Sequence, residues 1–227
     1  MLRYSSMRIP PTYINDKDER TLTALVHENL FGDILDVGCG RGTIKNFLPK
    51  GTTYTGIDGA ENSGADIVGD VHALPFKNES YDGVICTAVL EHVRDVDKVI
   101  SEMHRVLKKD GVAIITIPFI HHYHKDPEDY RRLSHVGLKD ILEKHGFSTV
   151  HTHMNYGVYA VVEYAFFCVL VHARRENLFI KKWYMLPYYV IIFMFFIFFK
   201  LINYSVGFLQ KHDTSMYVGV VAVARKV

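Results

Sequence analysis

ILDVGCGRGT, residues Ile34 to Thr43, carries an apolar strand straight into a glycine-rich turn. Ile34, Leu35 and Val37 flank Asp36, so a strand built from them delivers that carboxylate to its own carboxyl end. Gly38, Gly40 and Gly42 then let the backbone bend tightly and approach a ligand without a Cβ in the way. Thr43 to Leu48 reads as a short helix closed by Pro49 and Gly51, and its first N–H groups would suit an anion such as a carboxylate. An ordinary strand-to-helix turn carries similar glycines, and so does a dinucleotide site. The dinucleotide fingerprint, however, wants its third glycine three positions after the second. Here Gly42 comes one residue early and Thr43 stands in that place, which counts against NAD.

Working outward, strands and helices alternate. Asp16 to Phe31 reads as an amphipathic helix, with Leu22, Leu25, Val26 and Leu30 near one face and Gly32 as its stop. Further strands are expected at Thr53 to Ile57, Ala65 to Val68, Tyr81 to Cys86, Val112 to Ile117 and Phe147 to His153. Helices are expected at Val96 to Leu107 and from a Ser134 cap to about His145, with a turn at Lys108 to Gly111. Several strands are continuous β-branched runs. Together with the alternation, they indicate a mainly parallel sheet with helices on both faces, whose ligands bind at the carboxyl ends of the strands. Ser215 to Ala224 is again β-rich.

The remaining polar signals fall at those ends. In TGIDGA, Asp58 and Gly59 close the second strand, where a carboxylate can accept both hydroxyls of a ribose. In GDVHALPF, Asp70 follows the third and could accept an adenine amino group, while the Val71 N–H meets a ring nitrogen. A plain turn or cap is the other reading of Asp70. In YDGVICTAVLEHV, Thr87 and Ala88 end the fourth strand. These stretches, with the helix-turn-strand EMHRVLKKDGVAIITIPF, resemble the successive motifs of class I S-adenosylmethionine-dependent methyltransferases of the type 11 subgroup, over about residues 33 to 153 and the last strand. The resemblance implies a Rossmann-like, seven-stranded sheet whose last strand enters antiparallel. It implies S-adenosylmethionine as cofactor, with Asp36 and the turn Gly38, Cys39, Gly40 and Gly42 at its methionine end. Asp58 and Gly59 would hold the ribose, Asp70 and Val71 the adenine, and Thr87 and Ala88 would lie on the sulfonium side.

Methyl transfer from a sulfonium is driven largely by alignment, and a base is needed only for an acceptor proton of high pKa. Candidate bases are His92, just after the fourth strand, and His121, His122 and His124 in PFIHHYHKDPEDYRRLSHVGL, which leaves the carboxyl end of the fifth. Since LEHV is common in this subgroup across unrelated substrates, a structural role competes for His92. The second stretch resembles a lid segment of some type 11 relatives. Ligation of zinc by His121, His122, His124 and Asp126 is the alternative, but such clusters in loops arise without metal, and no metal is assigned.

The 227 residues suit one α/β domain. A net charge of +1, from 26 basic and 25 acidic residues, gives no electrostatic case for nucleic acid. Cys39, Cys86 and Cys168 form no disulfide framework, so a reducing compartment is expected, and the N-terminus lacks the apolar stretch of a signal peptide.

Tyr156 to Leu209 departs from this pattern. Trp183 to Phe199 has no charged residue, with Lys181 and Lys182 before it and Lys200 after it. A buried core helix, spanning helices, a homodimer interface and an interfacial or re-entrant hairpin compete. A single crossing would part the last strand from its sheet, which favours the hairpin, with basic flanks at the headgroups. The expected plan is an N-terminal helical segment at 1–32, an α/β core at 33–155, a hydrophobic helical insertion at 156–212 and the last core strand at 213–227. The expected activity is O-methylation of a hydrophobic or lipid-linked small-molecule acceptor, by a cytoplasmic protein peripheral or monotopic at the inner face of the membrane. A non-catalytic binding or partner protein on the same fold is the rival.

Overall fold

A computed structural model describes residues 17–124, 128–155, 158–175, 182–206 and 216–227, which divide between two compact units. The larger consists of Arg20–Phe119, Tyr123–His153 and Gly219–Val227; the smaller includes Ile120–His122 and Met154–Val218.

A seven-stranded sheet organises the larger unit. Its strands are β1 (Asp33–Val37), β2 (Thr53–Asp58), β3 (Ile67–Val68), β4 (Tyr81–Thr87), β5 (Leu107–Pro118), β6 (Phe147–Asn155) and β7 (Gly219–Lys226), in the spatial order β3-β2-β1-β4-β5-β7-β6. β1 lies parallel to β2, with Asp36 opposite Gly56, and parallel to β4, with Asp36 opposite Ile85. β7 runs antiparallel to β5, pairing Val223 with Ile114. The seven strands and the antiparallel entry of the last are as the resemblance implied. Buried β-branched residues on β1, β4, β5 and β7, among them Ile34, Ile85, Ile114 and Val223, meet Leu25, Val26 and Leu30 of helix α1 (Lys17–Asn29) in one core cluster. Helices α2 (Val96–Val106) and α3 (His135–Lys144) begin at side-chain caps. Asp95 accepts from the Lys98 N–H at 3.0 Å, and Ser134 accepts from the Gly137 N–H at 3.1 Å.

Three local expectations change. Thr43–Phe47 is a 3₁₀ turn entered from Gly42 in the left-handed region, not an α-helix, so the anion-binding terminus expected there is not built. The Lys108-to-Gly111 turn is an excursion within β5: the register passes from Tyr81 opposite Leu107 directly to Gly83 opposite Val112, and Asp110 has φ 61°. β7 starts at Gly219 and runs to Lys226, whose Nζ donates to the Leu107 carbonyl at 2.8 Å.

In the smaller unit, α4 (Val158–Arg175) and α5 (Leu186–Val206) pair as a hairpin. They are antiparallel, because Phe167 meets Phe196 while Glu163 meets Lys200. Phe167 and Phe196 are buried with Ala160, Tyr164 and Leu170. The outer face of α5 is apolar and exposed, with Tyr188 at 63%, Met194 at 64% and Phe198 at 53%. Trp183–Ile202, 20 residues, is the one stretch among the described residues long and apolar enough, by length and composition, to cross a membrane.

Candidate functional site

At the carboxyl end of β1, the Asp36 side chain is buried at 1% exposure. Its Oδ2 accepts from the Tyr54 hydroxyl at 2.8 Å, and its Oδ1 has no hydrogen-bond partner among the described residues. Burial pushes this carboxyl up to about 7, against the pull of the Tyr54 hydrogen bond. The turn that follows is tied to β2: the N–H groups of Gly38 and Cys39 both donate to the Ile57 carbonyl, at 2.8 and 3.1 Å. Gly40, at φ 53°, donates its N–H to Asp58 Oδ2 at 2.8 Å, and a Cβ built on it would meet nothing within 4 Å. Asp58 Oδ1 accepts from the Ala60 N–H at 2.8 Å. Each of its oxygens keeps a second lone pair, so the carboxylate is oriented by the turn while able to accept more bonds.

Asp70 is exposed and accepts from His72, from the backbone N–H at 2.9 Å and from Nδ1 at 2.7 Å; these bonds hold it below the usual carboxylate range. The segment after Val71 is fastened by Arg105. Its guanidinium donates to the carbonyls of Leu74 and Phe76 and to Asn78, at 2.8 to 2.9 Å, while pairing with Glu102. Sequence reading placed Arg105 only on a helix.

β4 ends at Thr87, and Ala88 takes φ 52°, a left-handed conformation uncommon outside glycine. Its N–H donates to the Thr116 carbonyl at 3.1 Å. The turn from Val89 to Arg94 is held from the stretch after β5. Arg131 donates to the carbonyls of Leu90 (3.1 Å), Val93 and Arg94 (2.8 Å), and the Tyr130 N–H donates to the Glu91 carbonyl at 2.8 Å. Asp129, gripped by Arg132 and held far below the usual carboxylate range, accepts from the His124 N–H at 2.9 Å. The DYRR sequence therefore fastens the β5 loop to the β4 loop.

This clamp brings together Glu91, His92 and His124, with His92 and His124 edge to face at 4.9 Å between ring centres. Glu91 is fully buried, and burial pushes its carboxyl up to about 7. His121 and His122 belong to the smaller unit. His121 stacks on Tyr164 with ring centres 5.2 Å apart, and the His122 N–H meets the Tyr164 hydroxyl at 3.0 Å. The four expected base candidates thus fall into two pairs. Asp126, named with them as a zinc ligand, lies outside the described residues.

Residues 35–115 match the family model described as a methyltransferase domain. The chain carries a class I S-adenosylmethionine-dependent methyltransferase domain. It is 35% identical over 92 residues to the mitochondrial arginine-hydroxylase NDUFAF5 of Homo sapiens, covering 35% of this chain and 27% of that one. To the ubiquinone biosynthesis O-methyltransferase of Pseudomonas syringae it is 34% identical over 122 residues, covering 45% and 49%. The chain thus spans about a quarter to a half of these two relatives. Phosphoethanolamine N-methyltransferase 2 of Haemonchus contortus, solved with S-adenosyl-L-methionine, superposes with a TM-score of 0.53 at 16% identity, covering 92% of this chain and 52% of that one.

The methyltransferase domain fits its cofactor on its own geometry. A buried carboxylate oxygen without a partner, an open glycine turn and an oriented Asp58 stand at adjoining strand ends. Sequence reading missed Tyr54: nothing in TYTGID marks it as the partner of Asp36.

Proposed function

We propose that this chain is a membrane-associated methyltransferase that O-methylates a hydrophobic or lipid-linked small molecule. The cofactor supplies an electrophilic methyl group on a sulfonium. The chain's own residues bind and orient: Asp36 and the turn at Gly38, Cys39, Gly40 and Gly42 take the methionine end, Asp58 and Gly59 the ribose, Asp70 and Val71 the adenine, and Thr87 and Ala88 border the sulfonium. In-line alignment then supplies most of the acceleration. His92 and His124, on the loops after β4 and β5, are the candidates to receive an acceptor proton. His121 and His122 serve the smaller unit's contact with Tyr164 in this reading.

The observation that carries the hydrophobic acceptor is the exposed apolar face of α5, on a hairpin lying in the chain between β6 and β7. Water-exposed phenylalanine, tyrosine and methionine along a helix call for a cover, and a lipid interface is one that would also present dissolved substrates. The O-methyltransferase of ubiquinone biosynthesis among the relatives is consistent with such an acceptor.

Calorimetry with S-adenosylmethionine on wild type and Asp58→Ala tests the cofactor half. We expect one site per chain, weakened more than about tenfold in the variant, which corresponds to about 1.4 kcal/mol. Labelled methyl transfer into membrane-lipid extracts tests the acceptor half. Transfer only to water-soluble acceptors defeats the hydrophobic assignment, and a folded chain that binds no cofactor defeats the enzyme and favours a binding protein on the same fold.

A further inference from the structure

We propose that Glu91, His92 and His124 bind a divalent transition-metal ion, of the class that includes Mn2+, Fe2+, Co2+ and Zn2+. The sequence gives no spacing signature for it, since two ligands come from the turn after β4 and the third from the loop after β5.

Glu91 motivates the proposal. It is fully buried, and neither carboxylate oxygen has a hydrogen-bond partner on another of the described residues, though its own backbone N–H and the Arg132 charge act on it. A buried carboxylate in that state is costly unless a cation or a donor reaches it. His92 is oriented as metal-bound histidines are. Its Nδ1 lies 2.6 Å from the Glu128 carbonyl oxygen, which can only accept, so Nδ1 carries the proton and Nε2 is left as the lone-pair nitrogen. That Nε2 is 3.8 Å from Glu91 Oε1. His124 is oriented by a carboxylate, with Nδ1 3.4 Å from Asp129 Oδ2.

One ligand atom from each residue lies within 4.8 Å of the other two. An ion about 2.1 Å from each ligand needs them about 3 to 3.5 Å apart, so a closure of about 1 Å completes the site. Two imidazoles and one carboxylate suit transition ions better than Mg2+ or Ca2+, which prefer all-oxygen shells, and three protein ligands leave coordination positions open. With the ion bound, His92 and His124 would serve as ligands in place of the proton-accepting role given them above, and an acceptor hydroxyl oxygen on the ion would be held in place and lose its proton to water more readily. That role rests on the methyl-transfer reading above; the ion site does not.

The test uses the full chain, stripped with a chelator and without S-adenosylmethionine. Co2+ is titrated and followed by its visible d–d absorption, and Mn2+ by electron paramagnetic resonance. We expect one ion per chain. His124→Ala, in a loop, and Glu91→Gln, nearly isosteric, should each weaken binding by more than about tenfold. His121→Ala should leave it unchanged. Absence of stoichiometric binding, or binding indifferent to both His124→Ala and Glu91→Gln, overturns the site; if Glu91→Gln fails to fold, His124→Ala decides. Loss of binding in His121→Ala alone would transfer the ion to a different set and overturn it equally. A chain that binds Co2+ in this pattern but no methyl donor keeps this inference and loses the methyl-transfer reading, and the converse result separates them the other way.

Discussion

Asp36 shows how one side chain proposed to meet the cofactor also bears on stability. Its carboxyl is raised by burial from 3.8 to about 7, so the folded chain holds this proton to higher pH than the unfolded chain does. Between those values the folded state binds more protons, and its stability falls as pH rises through the window. Denaturant unfolding of the cofactor-free chain should show this fall. Asp36→Asn should remove up to roughly 4 kcal/mol of pH dependence, while Glu91 leaves its own contribution in both proteins. Tyr54→Phe deprives the carboxylate of its donor and should extend the upper end of the window to higher pH. Asp36 stood out in the sequence because it lies between apolar strand residues and a run of glycines; Tyr54 did not. Its partnership depends on Gly56 standing opposite Asp36, where a Cβ would come within 2.9 Å of the Tyr54 hydroxyl and 2.8 Å of Cys39 Sγ. An absent side chain makes the room, and an absence across a strand pair leaves no mark in the tyrosine's own neighbourhood.

The first turn is narrower than its glycine content suggests. Gly38 stands at φ 72°, and a Cβ there would meet Val89 Cγ2 at 2.4 Å. Gly38→Ala therefore combines a left-handed penalty with overpacking against the turn after β4. We expect it to destabilise the chain by about 2–4 kcal/mol, read from the urea midpoint. Elements with long periodic or β-branched runs were legible: β4, α2 and α3 fall within a few residues of expectation, as do the cap at Ser134 and the end of β5. The β5 excursion was not. Lys108 to Gly111 has genuine turn chemistry, and only the register with β4 shows the chain resuming the same strand. The DYRR sequence was read only as part of a lid-like stretch, whereas Arg131 acts by collecting carbonyls from a turn about forty residues earlier. Such long-range hydrogen bonds have no local periodicity to betray them.

The whole molecule joins a methyl-donor fold to a helical hairpin whose outer face is apolar. If that face meets lipid, the chain should co-sediment with vesicles of phosphatidylcholine and phosphatidylglycerol. Introducing Phe193→Asp with Phe198→Asp, both exposed positions of α5, should weaken this by more than about tenfold while leaving the unfolding temperature nearly unchanged. Unaltered sedimentation, or a switch from dimer to monomer in the variant, would assign the face to a second copy of the chain.

The position of β7 bears on how the protein is made. Among the described residues β6 has β7 as its only neighbour in the sheet, and β7 also covers the outer edge of β5. Synthesis runs from β6 through the apolar hairpin before Gly219–Lys226 exists. Until then β5 offers an open edge and β6 has nothing to pair with, a state prone to adhesion between nascent chains. The hairpin must therefore find its partner, whether itself or a bilayer, ahead of the domain it interrupts. A ribosome-bound intermediate stalled before residue 219 should already be committed to that choice.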